Sequence, residues 1–223
     1  KCDIKKYFFS IDRELLKKKI RKKIKDKDCL WLIDLIIDSG NPQTPVKDYF
    51  PGDDLFAPYE RAKGIPIGNL TSQFFANVYL NDLDHYVKEC LRCRFYIRYV
   101  DDIAMLGNDK KELWKKHAMI IKFLEKDRLK IHHKKTTLAP VCEGIDLLGY
   151  RVFKKYRKVR KDNAFRFIRK MKGFQKKYRE RKVSWGEINP SVQSWIGHAC
   201  HADTYRLREK IFSSFTFTIR DRP

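Results

Sequence analysis

Two short runs of aromatic and β-branched residues enclose a pair of adjacent aspartates in the stretch Phe95–Leu106, FYIRYVDDIAML. Tyr, Ile and Val favour extended backbone, so the stretch reads as a tight β-hairpin turning at Asp101 and Asp102. Adjacent carboxylates repel one another and are tolerated in water or around a cation. A hard divalent ion such as Mg²⁺ takes oxygen ligands of this kind and completes its shell with a substrate phosphate. An Asp-Asp turn alone is usually just solvated; its apolar, aromatic flanks set this one apart.

The rest of the composition narrows the partner. Fifty Lys and Arg against 28 Asp and Glu leave a net charge of +22. That excess does not suit a neutral metabolic enzyme and points to a polyanion, either nucleic acid or an anionic membrane. No apolar run approaches the length of a bilayer span and no secretory signal is visible. Aromatic residues are spread through segments with folded patterning, so nucleic acid is the expected partner and no membrane is. A chain of 223 residues can bury one substantial core, or a core and a smaller satellite. Six scattered cysteines (Cys2, Cys29, Cys90, Cys93, Cys142, Cys200) suit a reducing compartment. Cys90 and Cys93 form one CxxC, but His198, Cys200 and His201 lack the spacing of a standard second zinc pair. The chain opens at Lys1 in strand-like sequence and reads as a piece of something longer.

Taken in order, Lys1–Ile11 is an expected strand and turn containing Asp3. Ser10 or Asp12 caps a lysine-rich helix over Arg13–Lys27, with Leu15, Leu16, Ile20 and Ile24 as its apolar stripe. A second helix covers Cys29–Asp38, with Leu30, Trp31, Ile33 and Ile37 as core candidates. Ser39–Pro66 is an irregular connection. Gly64–Gln73, GIPIGNLTSQ, is a loop feeding a helix whose stripe is Ala76, Leu80, Leu83 and Val87. Such a loop can approach a phosphate or a base closely. After the hairpin, Asp109 and Glu112 suggest a capping box, and Leu113, His117, Ile120 and Leu124 a core face. Leu129–Leu138 reads as a strand and basic turn, and Ile145–Phe153 as two short strands around Gly149. The first part is therefore an α+β sheet with helices on one face.

From Arg151 to Lys182 the composition changes: sixteen of 32 residues are Lys or Arg. Phe167, Met171, Phe174 and Tyr178 recur at helical spacing among them. A one-signed face this dense repels itself unless a polyanion lies opposite. Asn189-Pro190 signals the start of a further helix and Asp203 a last one. This part is expected to be a separate basic helical domain.

The order of these features resembles that of a reverse transcriptase over nearly the whole chain. Tyr99-Val100-Asp101-Asp102 is similar to the family's YxDD box, and Asp3-Ile4 with Phe8 to the motif that supplies the third aspartate. Leu129–Thr136 resembles the motif whose lysine, here Lys135, lies beside the incoming triphosphate, and Leu147-Leu148-Gly149-Tyr150 the primer grip. The resemblance implies a right-hand polymerase palm over 1–153, retaining a fingers or palm insertion at about 12–62, and an α-helical thumb over 154–223. It implies catalytic Asp3, Asp101, Asp102 and Lys135. Two Mg²⁺ ions, with Mn²⁺ as a substitute, would be held roughly 4 Å apart by Asp3, Ile4, Asp101 and Asp102. Phe8, Ile67, Gly68 and Gln73 would contact the nucleotide, and Leu148, Gly149 and Tyr150 the primer. Phe8 would exclude a 2′-hydroxyl; its other reading is a core phenylalanine. The family's fingers are missing ahead of Asp3, so this chain alone is expected to be a weak catalyst, or to have its fingers supplied by another chain.

Within the family, Ile67–Gln73 matches the GxxxSQ pattern of diversity-generating retroelement enzymes, where group II intron and retroviral enzymes carry Pro-Gln-Gly. Ser194–Arg208, SWIGHACHADTYRLR, resembles the thumb of the same group. The expected activity is copying of a template RNA into cDNA from dNTPs and a DNA primer, with errors opposite adenine. The resemblance also implies a bacterial or phage-encoded, cytoplasmic protein and a small basic accessory partner. The alternatives are a group II intron-like, retron or defence enzyme, and a non-catalytic RNA-binding fragment.

Overall fold

The computed structural model describes residues 1–40 and 46–218. Part of the Ser39–Pro66 connection and the end of the expected 154–223 helical domain lie outside the described residues; the described part of that connection carries one short helix, α4 (Ala57–Glu60). Three strands, β1 (Cys2–Asp3), β2 (Phe95–Tyr99) and β3 (Asp102–Leu106), form an antiparallel sheet in the order β1-β3-β2. Its register sets Cys2 against Ile103 and Asp3 against Asp102 on one side. On the other it sets Phe95 against Leu106 and Tyr99 against Asp102. Successive side chains alternate between faces. Tyr96, Ile103 and Met105 thus turn toward the core, while Phe95, Ile97, Tyr99 and Leu106 stay exposed.

Helices cover the inward face. The expected stripe Ala76, Leu80, Leu83 and Val87 is entirely buried, although the helix is broken. Leu80 leaves helical geometry between α5 (Leu70–Tyr79) and α6 (Asn81–His85), and a π-turn follows at Tyr86–Cys90. Ile120 and Leu124 of α7 (Lys110–Lys126) join them, as do Leu16 and Ile20 of α2 (Arg13–Arg21) and Ile37 of α3 (Lys27–Asp38). Asp12 caps α2 by accepting from the Leu15 amide at 3.0 Å, and that helix ends at Arg21 rather than Lys27.

Other local expectations fail. Trp31 is 67% exposed: α3 is apolar nearly all round, so its sequence does not say which side faces inward. Asp109 caps α7 through the Lys111 amide, but Glu112 pairs with Lys116 instead of closing a capping box. Leu129–Leu138 is not a strand. Only Ile131 bridges to Ile4, after which His133–Lys135 makes a 3-10 turn.

Contacts divide the chain into two compact units, Lys1–Leu138 and Ala139–Pro223. In the second, β4 (Ile145–Leu147), β5 (Tyr150–Val152) and an unanticipated β6 (Arg157–Val159) form an antiparallel sheet. The turn residues Leu148 and Gly149 both have positive φ, 51° and 84°, as a two-residue type I′ hairpin requires. Helices α8 (Lys161–Arg179), α9 (Trp185–Cys200) and α10 (Tyr205–Ser213) bury Phe167, Met171, Ile188, Val192, Trp195, Ala199 and Ile211. The rings of Phe167 and Trp195 stack 4.1 Å apart. Asn189-Pro190 does not begin α9. A reciprocal Ser184–Glu187 capping box starts the helix earlier, leaving Pro190 inside it. Antiparallel sheets and packed helices give the mixed α+β composition anticipated from sequence.

Candidate active site

The hairpin turns one residue earlier than expected: Val100 and Asp101, not Asp101 and Asp102, form the turn, and Asp102 begins β3. Val100 has φ 55°, a left-handed conformation unfavourable for a β-branched residue. The turn therefore stores strain that its surroundings must hold. On the neighbouring strand Asp3 is the register partner of Asp102. The Ile4 amide donates to the Asp101 carbonyl at 3.2 Å, and the His132 amide to the Asp3 carbonyl at 2.7 Å. Backbone pairing across three distant segments thus brings the main chain of Asp3, Asp101 and Asp102 together.

Two lysines answer these acids. Lys135 Nζ lies 3.1 Å from both carboxylate oxygens of Asp3, carried there by the 3-10 turn. Lys1 Nζ lies 2.9 Å from Asp102 Oδ1. Burial raises the Asp101 carboxyl above its ordinary value; the charges of Asp3 and Asp102 add to this and Lys135 opposes it.

The donor set suits a hard cation. Its oxygens are carboxylates, and ammonium groups already stand against two of them. Among the described residues no three His, Cys, Asp or Glu side chains gather as a metal-holding group. Mg²⁺ does not need one, since it binds through one or two carboxylates and takes its remaining ligands from substrate phosphates and water. The Ile4 side chain is buried and carries no donor atom, so only its backbone carbonyl can contribute. Cys90 is exposed and Cys93 buried, and neither belongs to any such group.

The residues expected on the nucleotide side lie on a connected frame. Phe8, on the short helix α1 (Tyr7–Ser10), is half-buried and meets the Tyr7 ring edge-on at 5.8 Å. Tyr7 is locked by a 2.5 Å bond from its hydroxyl to the Ala76 carbonyl. The Gly64 amide donates to the Ile11 carbonyl and the Ile65 amide to the Phe8 carbonyl, at 2.8 and 3.1 Å. These bonds tie the loop before α5 to α1. Beyond them Ile67 and Gln73 are exposed, and Gly68, at φ +101°, has open space where a Cβ would stand.

Leu148, Gly149 and Tyr150 belong to the second unit. Leu148 is exposed, while the Tyr150 hydroxyl donates to the His198 carbonyl at 2.8 Å and its ring stacks on the His198 imidazole at 4.6 Å.

Sequence reasoning missed two charged residues, Lys1 beside Asp102 and Arg98 at the Val100 turn. Arg98 was detectable as a lone charge at an inward-facing position of an apolar strand. Nothing local marked Lys1, because its contact depends on long-range register.

Comparison with curated proteins gave no match. The family model described as reverse transcriptase (RNA-dependent DNA polymerase) matches residues 1–152. This span contains the acids, Lys135, the glycine loop and the β4–β5 turn. The chain belongs to the reverse transcriptase family.

Proposed function

We propose that this chain is the palm (1–153) and thumb (154–223) of an RNA-directed DNA polymerase of the diversity-generating retroelement type. Family membership supports RNA-directed DNA polymerase activity in general, with a nucleic-acid template and nucleotide substrates, and domains of this family use divalent metals. Among the described residues, no helix is long and apolar enough to cross a membrane. The observation that carries the reading is the register of Asp3 against Asp102 with Asp101 at the adjoining turn.

In this reading Asp3 and Asp101 offer their carboxylate oxygens, with the Ile4 carbonyl, to two Mg²⁺ ions or to Mn²⁺. When bound, these supply a lowered pKa for the primer 3′-hydroxyl and charge neutralisation for in-line phosphoryl transfer. Asp102, paired with Lys1, supports the field. Lys135 neutralises or protonates the departing pyrophosphate, a role supported by its ammonium standing beside Asp3. The Phe8 ring packs under the sugar and excludes a 2′-hydroxyl by contact. Leu148, Gly149 and Tyr150 hold the primer, and the basic face of α8 follows the nucleic-acid backbone.

The subtype rests on Ile67, Gly68 and Gln73. An apolar, exposed Ile67 makes fewer directional contacts near the nascent pair than a glutamine, and discrimination comes from differences in transition-state binding. The retroelement reading brings with it a template RNA and a small basic accessory protein. Its test is steady-state misincorporation opposite adenine by the wild type and Ile67→Gln. A fall in adenine errors supports it, and equal error rates count against it.

A further inference from the structure

The strained turn at Val100 needs something to hold it, and the structure supplies one side chain that does so. Arg98 points inward from β2, and its side chain is only 8% exposed. Its Nη1 donates to the Val100 carbonyl at 3.0 Å and to Asn77 Oδ1 of α5 at 3.0 Å. Its Nε and Nη2 grip both oxygens of Asp84 on α6, at 2.8 and 2.5 Å. Tyr96 hydroxyl donates to the same carboxylate at 2.7 Å. The guanidinium is therefore clamped in one plane by a helix and by its own strand. Only a planar, multidentate fork can hold Asp84 and reach the turn at once.

We infer that Arg98 is the positioning residue for the candidate catalytic turn. It fixes the Val100 carbonyl so that the left-handed backbone persists and Asp101 faces Asp3. Asp84 and Tyr96 hold the arginine, and Asn77 links it to the helix that follows the glycine loop. The inference rests on the reading of Asp101 as a metal-binding residue, but its geometric half stands without any metal. Arg98 touches no substrate in this account and acts through the turn.

The test uses the backbone bond from the Ile4 amide to the Asp101 carbonyl as a reporter of turn position. Amide hydrogen exchange is measured on the 223-residue chain and on Arg98→Lys, Val100→Gly and the double variant. The Gly64 amide, bonded to the Ile11 carbonyl, serves as the internal reference. Arg98→Lys keeps the charge opposite Asp84 but loses the fork. It is expected to speed Ile4 exchange about tenfold relative to Gly64, the scale of one charge-assisted hydrogen bond. Glycine adopts positive φ without strain, so in the Val100→Gly background the same change should have a much smaller effect. In parallel, Mn²⁺ affinity read by electron paramagnetic resonance should fall in Arg98→Lys and vanish in Asp101→Ala. Equal acceleration of Ile4 and Gly64, no acceleration at all, or the same factor in both backgrounds would overturn the positioning role. Mn²⁺ binding that ignores Asp101→Ala would instead overturn the metal reading of the site, while the exchange data still decide the role of Arg98.

Discussion

Lys135 Nζ stands equidistant from the two carboxylate oxygens of Asp3, 3.1 Å from each. The residues are 132 positions apart and meet because the Ile4–Ile131 bridge delivers the turn that carries the lysine. An ammonium in that place balances the acid, and its proposed role is to meet the leaving phosphate. Lys135→Ala is expected to lower the single-turnover extension rate by about 10²-fold, the low end of general-acid contributions. Affinity for the primer–template should change little. Rapid-quench kinetics separate these, and weakened nucleic-acid binding at an unchanged rate would contradict the assignment.

Asp101 gives a prediction in pH. Its folded-state pKa is raised above the ordinary 3.8, first by burial and then by Asp3 and Asp102. The folded chain therefore holds a proton more readily than the unfolded one, and stability falls as pH rises from about 3.8 through the raised value. Above that window the ionised carboxylate is a standing cost. Asp101→Asn should melt higher than wild type at pH 7.5 without divalent ions, and the gain should shrink toward nothing as the pH drops below the window. Adding Mg²⁺ should raise the melting temperature of the wild type alone, since a ligand that binds only the native state stabilises it. Calorimetry across pH and Mg²⁺ concentration checks both statements.

Much of this site was legible because its signals are local. Branched and aromatic runs on either side of Asp101-Asp102 specified the hairpin, and the spacing of Ala76, Leu80, Leu83 and Val87 specified a buried stripe that survives the break at Leu80. Signals failed where two local rules competed or where none applied. Asn189-Pro190 is a fair helix start, but the Ser184–Glu187 box began α9 sooner. The helix containing Trp31 is apolar on most sides, so its phase is decided by packing. The pairings of Lys1 with Asp102 and of Arg98 with Val100 arise from strand register and helix placement, which no single segment encodes.

Tyr7 tests the frame under Phe8. Its buried hydroxyl bonds the Ala76 carbonyl, and burial raises its pKa well above the ordinary range, so it remains a neutral donor. Tyr7→Phe leaves that carbonyl without this donor and should cost about 1–3 kcal/mol of stability. It should also loosen sugar selection, read as a rise in ribonucleotide incorporation. Denaturant unfolding and a nucleotide-competition assay measure the two effects. Lost stability with unchanged sugar selection would separate Tyr7 from any role in placing Phe8.

Gly149 tests the β4–β5 turn. Its φ of +84° suits glycine, and an added Cβ would lie 3.3 Å from His198 Cε1. Gly149→Ala should destabilise by about 1 kcal/mol from backbone conformation, with further cost if His198 must shift. The primer-terminus KM should rise while the dNTP KM holds. Equal changes in both constants would argue against a primer-holding turn.

Primer extension on an RNA template with Mg²⁺ tests the central claim most directly. It compares this chain with its Asp101→Ala variant, with the products sequenced. The account predicts extension that disappears with Asp101 and leaves errors concentrated opposite adenine. Accurate extension would move the chain to the group II intron-like enzymes. RNA binding with no extension, or extension that survives Asp101→Ala, would contradict the catalytic reading.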